Sequence, residues 1–159
     1  MQSSKFAPLL AQICDYAGKA KNLEALQEFT VKLIAKELTD YNWVGFYMLD
    51  PDDPQILVLG PFCGTATPHV RIPVSQGICG AAVAQEQTVI VDDVSSDPRY
   101  LSCSLETRSE IVVPIRVHGR IAGEIDIDSH SPAAFTQEDR RFLEACADEI
   151  GAYIERLSA

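Results

Sequence analysis

Positive charge is what this chain has least of. Its 159 residues carry 13 lysines and arginines against 23 aspartates and glutamates, for a formal net charge of -10. That balance argues against nucleic acid or an anionic membrane surface as a partner, because both select for clustered Lys and Arg. No apolar run approaches the ~20 residues of a membrane-spanning helix. The opening MQSSKFAPLLAQICDYAGKA also lacks the long apolar core of a targeting segment. A cytoplasmic protein is therefore expected. Internal repeats, low-complexity tracts and linkers are missing too, which predicts a single domain over residues 1–159. The cysteines, Cys14, Cys63, Cys79, Cys103 and Cys146, are odd in number and lack framework spacing, so a reducing compartment fits better than a disulfide-stapled fold. No C-x-x-C or H-x-x-x-H spacing links His69, Cys79 and Cys103, so neither a metal nor a cofactor is expected.

What is present reads as an α+β domain. An amphipathic segment runs from Phe6 to Ala20, and Asn22 is placed to cap a second helix carrying Leu23, Leu26, Leu33, Ile34 and Leu38. Trp43 to Leu49 and Ile56 to Phe62 predict a hairpin around the turn Pro51 to Pro54. After a short strand, Val70 to Ile72, Gly77-Ile78-Cys79-Gly80 leads into a small-residue helix, Ala81 to Gln85, and a strand, Thr88 to Val91. Asp92 to Arg108 is a long polar connection without strand periodicity, of the kind that is usually functional or disordered. Thr136 and Asp139 resemble a capping box opening a last helix with Phe142, Leu143, Cys146, Ile150, Ile154 and Leu157 on one stripe. Helices on one face of an antiparallel sheet, with loops closing the other, is the architecture this order suggests.

Ser109 to Ser129 is the most informative stretch. Read with period two, Ile111, Val113, Ile115 and Val117 form one apolar row, and Ile121, Ile125 and Ile127 another. A three-residue loop, His118 to Arg120, sets Val117 opposite Ile121. It carries the pairing through Val113 with Ile125 and Ile111 with Ile127 to Glu110 with Asp128. Opposed residues have Cβ atoms about 4.5 to 5.5 Å apart, so two carboxylates there either share a proton or hold a cation. Asp126 and Glu124 lie on the same face. A solvated outer sheet face is the plainer alternative.

Two cysteines lie near this chemistry. Cys14 and Cys146 are expected in the buried stripes of helices. Cys79 sits at the mouth of a helix, where backbone amides and the dipole favour a thiolate. Cys103 precedes the Glu110 strand by a short loop. A thiol beside paired carboxylates suits a substrate whose oxygen needs a proton while its sulfur is attacked.

Several segments carry a specific resemblance: YNWVGFYML at Tyr41 to Leu49, LGPF at Leu59 to Phe62, VRIPVSQGICG at Val70 to Gly80, LSCS around Cys103, SEIVVPI from Ser109 and GEIDIDS at Gly123 to Ser129. Together with FTQEDRRFLEACADEI they resemble the free methionine-(R)-sulfoxide reductase family, a stand-alone GAF domain whose antiparallel sheet has terminal helices on one face. The resemblance implies that Cys103 attacks the sulfoxide sulfur. It makes Glu110, Asp126 and Asp128 the groups that protonate the oxygen and hold the amino group, and it places Trp43 and Tyr47 around the substrate. It also implies free methionine sulfoxide as substrate, a thioredoxin-like reductant, and allows a homodimer. His69 stands where the family's usual pattern has a resolving cysteine, which leaves Cys79 as the best substitute and Cys63 as a second. A non-enzymatic GAF module that binds an amino-acid-like ligand or senses oxidation is the alternative.

Overall fold

The structure, a computed structural model, describes residues 4–100 and 105–158. Six antiparallel strands form one sheet in the order β3-β2-β1-β6-β5-β4. They are β1 (Trp43–Asp50), β2 (Asp53–Cys63), β3 (Arg71–Pro73), β4 (Val89–Val91), β5 (Ser109–Val117) and β6 (Arg120–Ser129). Helices α1 (Phe6–Ala17), α2 (Leu23–Glu37) and α4 (Gln137–Leu157) join the sheet in one apolar core that contains Val44, Phe46, Ile111, Val113, Ile115, Ile125 and Ile127. Helix α3 (Gly77–Gln85) belongs with the opposite face.

Local rules account for the helix starts. The Asn22 side chain accepts a hydrogen bond from the Ala25 amide at 2.8 Å, and Thr136 and Asp139 form the expected reciprocal capping box. Helix α4 packs closely on β5, because a Cβ at Gly151 would run into the Arg116 carbonyl. Leu157, expected on the buried stripe of α4, is exposed. Cys14 is exposed as well. The buried side of α1 is Phe6, Leu9, Ile13 and Ala17. Cys14 follows Ile13 by one residue, about 100° round the helix, which carries it off that stripe.

The β5–β6 hairpin keeps the expected core pairing, Glu110 with Asp128, Ile111 with Ile127 and Val113 with Ile125, but its turn differs. His118 and Gly119, both with positive φ, form a two-residue turn with Val117 opposite Arg120. A shift between Ile115 and Arg116 then restores the register, because Arg116 faces Ile121 while Ile115 faces Gly123. The bulge absorbs the residue that a three-residue loop would have held. Helix α3 starts four residues earlier than the small-residue run suggests, so Cys79 lies in its first turn rather than before it.

Candidate active site

Alternation along three neighbouring strands builds the site. Across β1 and β6, Trp43 faces Asp128, Gly45 faces Asp126 and Tyr47 faces Glu124. Across β5 and β6, Glu110 faces Asp128. All four acidic side chains therefore share the sheet face away from α1, α2 and α4. That face is not solvated. Glu110, Glu124, Asp126 and Asp128 are each less than 5% exposed. They are roofed by a second apolar cluster in which Ile72, Ile78, Cys79, Val89, Val91 and Val94 come together with Trp43, Tyr47 and Val112. The plainer reading of a wet outer face is overturned by this roof.

Cys79 reaches down from α3 into the acidic cluster, its Sγ donating to Asp126 Oδ2 at 3.4 Å. Cys79 Sγ and one carboxylate oxygen each from Glu110 and Asp126 lie within 4.8 Å of one another. Glu124 adjoins the same thiol closely enough to raise its pKa. By distance and angle, both Glu124 oxygens are buried with no hydrogen-bond partner among the described residues, as are Asp126 Oδ1 and Asp128 Oδ1.

Burial controls the protonation of this group. Desolvation pushes the Asp128 carboxyl well up, with the charge of Asp126 adding to it, while a hydrogen bond with Glu110 pulls the other way. Desolvation also raises Asp126 and Glu124. Removal from water is thus the main cause, ahead of the cross-strand repulsion the pairing suggested. Cys79 departs further from expectation. Burial first, then Asp126, Glu124 and Glu110, push its thiol well above its ordinary value, and these effects outweigh the helix dipole. Cys79 is a protonated thiol.

Tyr47, His69, Ile72, Gly77, Ile78, Cys79, Glu110 and Asp126 line a cavity in this face. About 10 Å³ remains there for the centre of a water-sized sphere, room for one water molecule. Tyr47 crosses it to donate to the His69 carbonyl at 2.7 Å. His69 is half-buried. Trp43 flanks the cavity. Its indole donates to the Thr65 carbonyl at 3.0 Å, and the ring lies over Gly45, where a Cβ would collide with it, at 6.3 Å from Tyr47. A roomier cavity of about 480 Å³ on the outer side of α3 has no carboxylate in its lining.

Cys63 lies elsewhere. It is half-buried and packs with the helix-side core, on the far face of the sheet from the carboxylates. Cys103, the expected nucleophile, lies outside the described residues. Glu124 was placed on the acidic face by period two but given no role. Its signal was the same alternation that revealed Asp126.

An antiparallel sheet with helices on one face and a roofed pocket on the other is the arrangement of a GAF domain, and the GAF domain family model matches residues 22–154. The free methionine-R-sulfoxide reductase of Escherichia coli (strain K12) is 41% identical over 143 residues, spanning 90% of this chain and 81% of that protein. The structure of free methionine-R-sulfoxide reductase from Neisseria meningitidis in complex with its substrate superposes with a TM-score of 0.90 at 34% identity, covering 100% of this chain and 96% of that one. That of fRMsr of Staphylococcus aureus in its reduced form gives 0.87 at 32% identity, covering 97% and 99%. The chain belongs to the free methionine-R-sulfoxide reductase family, oxidoreductases built on a GAF domain.

Proposed function

We propose that this chain reduces free L-methionine (R)-S-oxide to methionine through cysteine chemistry, acting as a single GAF unit. The observation that carries the reading is the buried cluster of Glu110, Asp126 and Asp128 under a closed cavity with Cys79 at its edge. Burial raises the pKa of Asp126 and Asp128 and so favours their protonated forms, the direction that a general acid for a sulfoxide oxygen requires. The same cluster, once one member ionises, attracts an ammonium group, so a free amino acid suits it better than a peptide-bound residue. Tyr47 lines the cavity and Trp43 flanks it, giving an apolar wall to the methyl end.

In this reading the Cys103 thiolate attacks the sulfoxide sulfur while a protonated carboxyl of the cluster donates to the oxygen. Methionine leaves, reduced by two electrons, and the oxygen stays on Cys103 as a sulfenic acid. The Cys79 sulfur then attacks that sulfenic sulfur. Its proton passes to the departing oxygen through the carboxylate emptied in the first step, and water and a Cys79–Cys103 disulfide result. A thioredoxin-like dithiol returns both cysteines to the reduced state. Cys79 is favoured over Cys63 because Cys63 faces the opposite side of the sheet.

The test is to incubate the reduced protein with each epimer of free methionine sulfoxide and dithiothreitol and to measure methionine. Turnover of the (R)-epimer alone, lost in C103S, is expected. Binding of the sulfoxide without turnover by the wild-type protein would return the chain to the ligand-sensing alternative.

A further inference from the structure

We propose that Cys79, Glu110 and Asp126 form a binding site for a thiophilic divalent cation, zinc above others, within the same cavity. Three observations support it, none of which rests on the reductase reading. One ligand atom from each residue lies within 4.8 Å of the other two. An ion centred among atoms that far apart is within roughly 2.8 Å of each, so contractions of roughly 0.5 Å for the sulfur and roughly 0.6–0.8 Å for the oxygens reach zinc–sulfur and zinc–oxygen bond lengths. The three residues come from α3, β5 and β6, which are fixed by the roof and the ladder, so the site is pre-assembled rather than gathered by a mobile loop.

The second observation is the unmet acceptor capacity around this triangle. Among the described residues Asp126 Oδ1 has no hydrogen-bond partner, and beside Cys79 both oxygens of Glu124, which is 0% exposed, have none. Buried carboxylate oxygens in that condition are costly, and a dication satisfies several of them at once. The third is the donor set. One thiolate and two carboxylates disfavour calcium and magnesium, which take oxygen ligands in larger numbers, and suit zinc. The absence of any sequence spacing for such a site follows from its construction, because its ligands are 31 and 16 residues apart in the chain.

Binding releases the thiol proton and any carboxyl proton to solvent and changes no oxidation state. It also occupies the carboxylates that an ammonium group would use.

Cobalt(II) is the probe. Titrated into the metal-free, reduced, full-length protein, it is expected to give a near-ultraviolet thiolate-to-metal charge-transfer band that saturates at one equivalent and is displaced by zinc. The band should vanish in C79S, weaken with at least a tenfold loss of cobalt affinity in E110Q, and persist in C103S. No band with the wild-type protein at millimolar cobalt, a band surviving in C79S, an unchanged affinity in E110Q, or loss of the band in C103S would each overturn the site. E110Q keeps the proposal exposed if C79S fails to fold. Absence of methionine production alongside a normal band would sink the reductase reading alone.

Discussion

Asp128 shows how a single residue is held in tension. It is 3% exposed, faces Glu110 across the ladder and has one oxygen without a hydrogen-bond partner among the described residues. Its ionised form is therefore costly, and replacing it with the uncharged isostere should relieve the fold while harming the chemistry. Asp128→Asn is expected to raise the melting temperature while lowering kcat for the free (R)-sulfoxide by roughly 10² to 10⁴, the span of a lost general acid. Measuring both on one preparation is decisive. A variant that melts earlier and loses activity in proportion would make Asp128 a structural residue. The pairing that locates Asp128 was readable from Ile111 to Ile127 alternation alone. Protonation at Cys79 was not, because what governs it is burial under the roof and then Asp126, Glu124 and Glu110, brought from β6 and β5, whereas the sequence exposes only the helix start. Cys14 was misplaced for a different reason: one residue's step round a helix decides between core and water, and the stripe through Leu9, Ile13 and Ala17 passes beside it.

Among the elements, α4 and the β5–β6 hairpin illustrate opposite kinds of legibility. The capping box of α4 lies within four residues and obeys a local rule, so Thr136 and Asp139 announce it. The hairpin turn obeys a two-residue rule that its bulge then disguises, so pairs far from the turn were placed correctly and those next to it were not. Contact between these two elements makes a sharp prediction. At Gly151 a Cβ meets a backbone carbonyl of β5, which cannot swing aside as a side chain can. Overpacking costs typically 1–3 kcal/mol, and alanine's helix propensity returns up to about 1 kcal/mol. Gly151→Ala should thus destabilise by up to about 2 kcal/mol in urea unfolding. A more stable variant would mean that α4 slides freely on the sheet.

At the scale of the molecule, Asp139 ties the sheet to the helical layer. One carboxylate oxygen caps α4 through Thr136, and the other accepts from the buried Tyr41 hydroxyl at 2.5 Å, just ahead of β1. Burial, with the hydrogen bond to Asp139, raises the Tyr41 pKa far above its ordinary value. The folded state then holds this proton more tightly than the unfolded chain. The resulting stability is complete below the unfolded pKa of about 10 and is lost as pH climbs beyond it. Chemical denaturation across the alkaline range should show that decline in the wild-type protein and a shallower one in Tyr41→Phe, whose neutral-pH stability should be lower by roughly 1.5–3 kcal/mol. Parallel curves would remove Tyr41 from the alkaline transition. Among the described residues no helix is long and apolar enough to cross a membrane, in keeping with the charge balance of the chain.

The narrowness of the cavity bears on kinetics. Space for one water molecule cannot admit an amino acid, so under the proposed function entry requires the start of α3 at Gly77 and Ile78 or the His69 segment to part from the carboxylate face. Capture then has two stages, a fluctuation that opens the roof and a collision that exploits it. The apparent affinity is weaker than that of the opened form by the fraction of time spent open. Such a protein responds to substrate in proportion to how often it breathes, and anything that loosens the roof trades thermal stability for speed of capture.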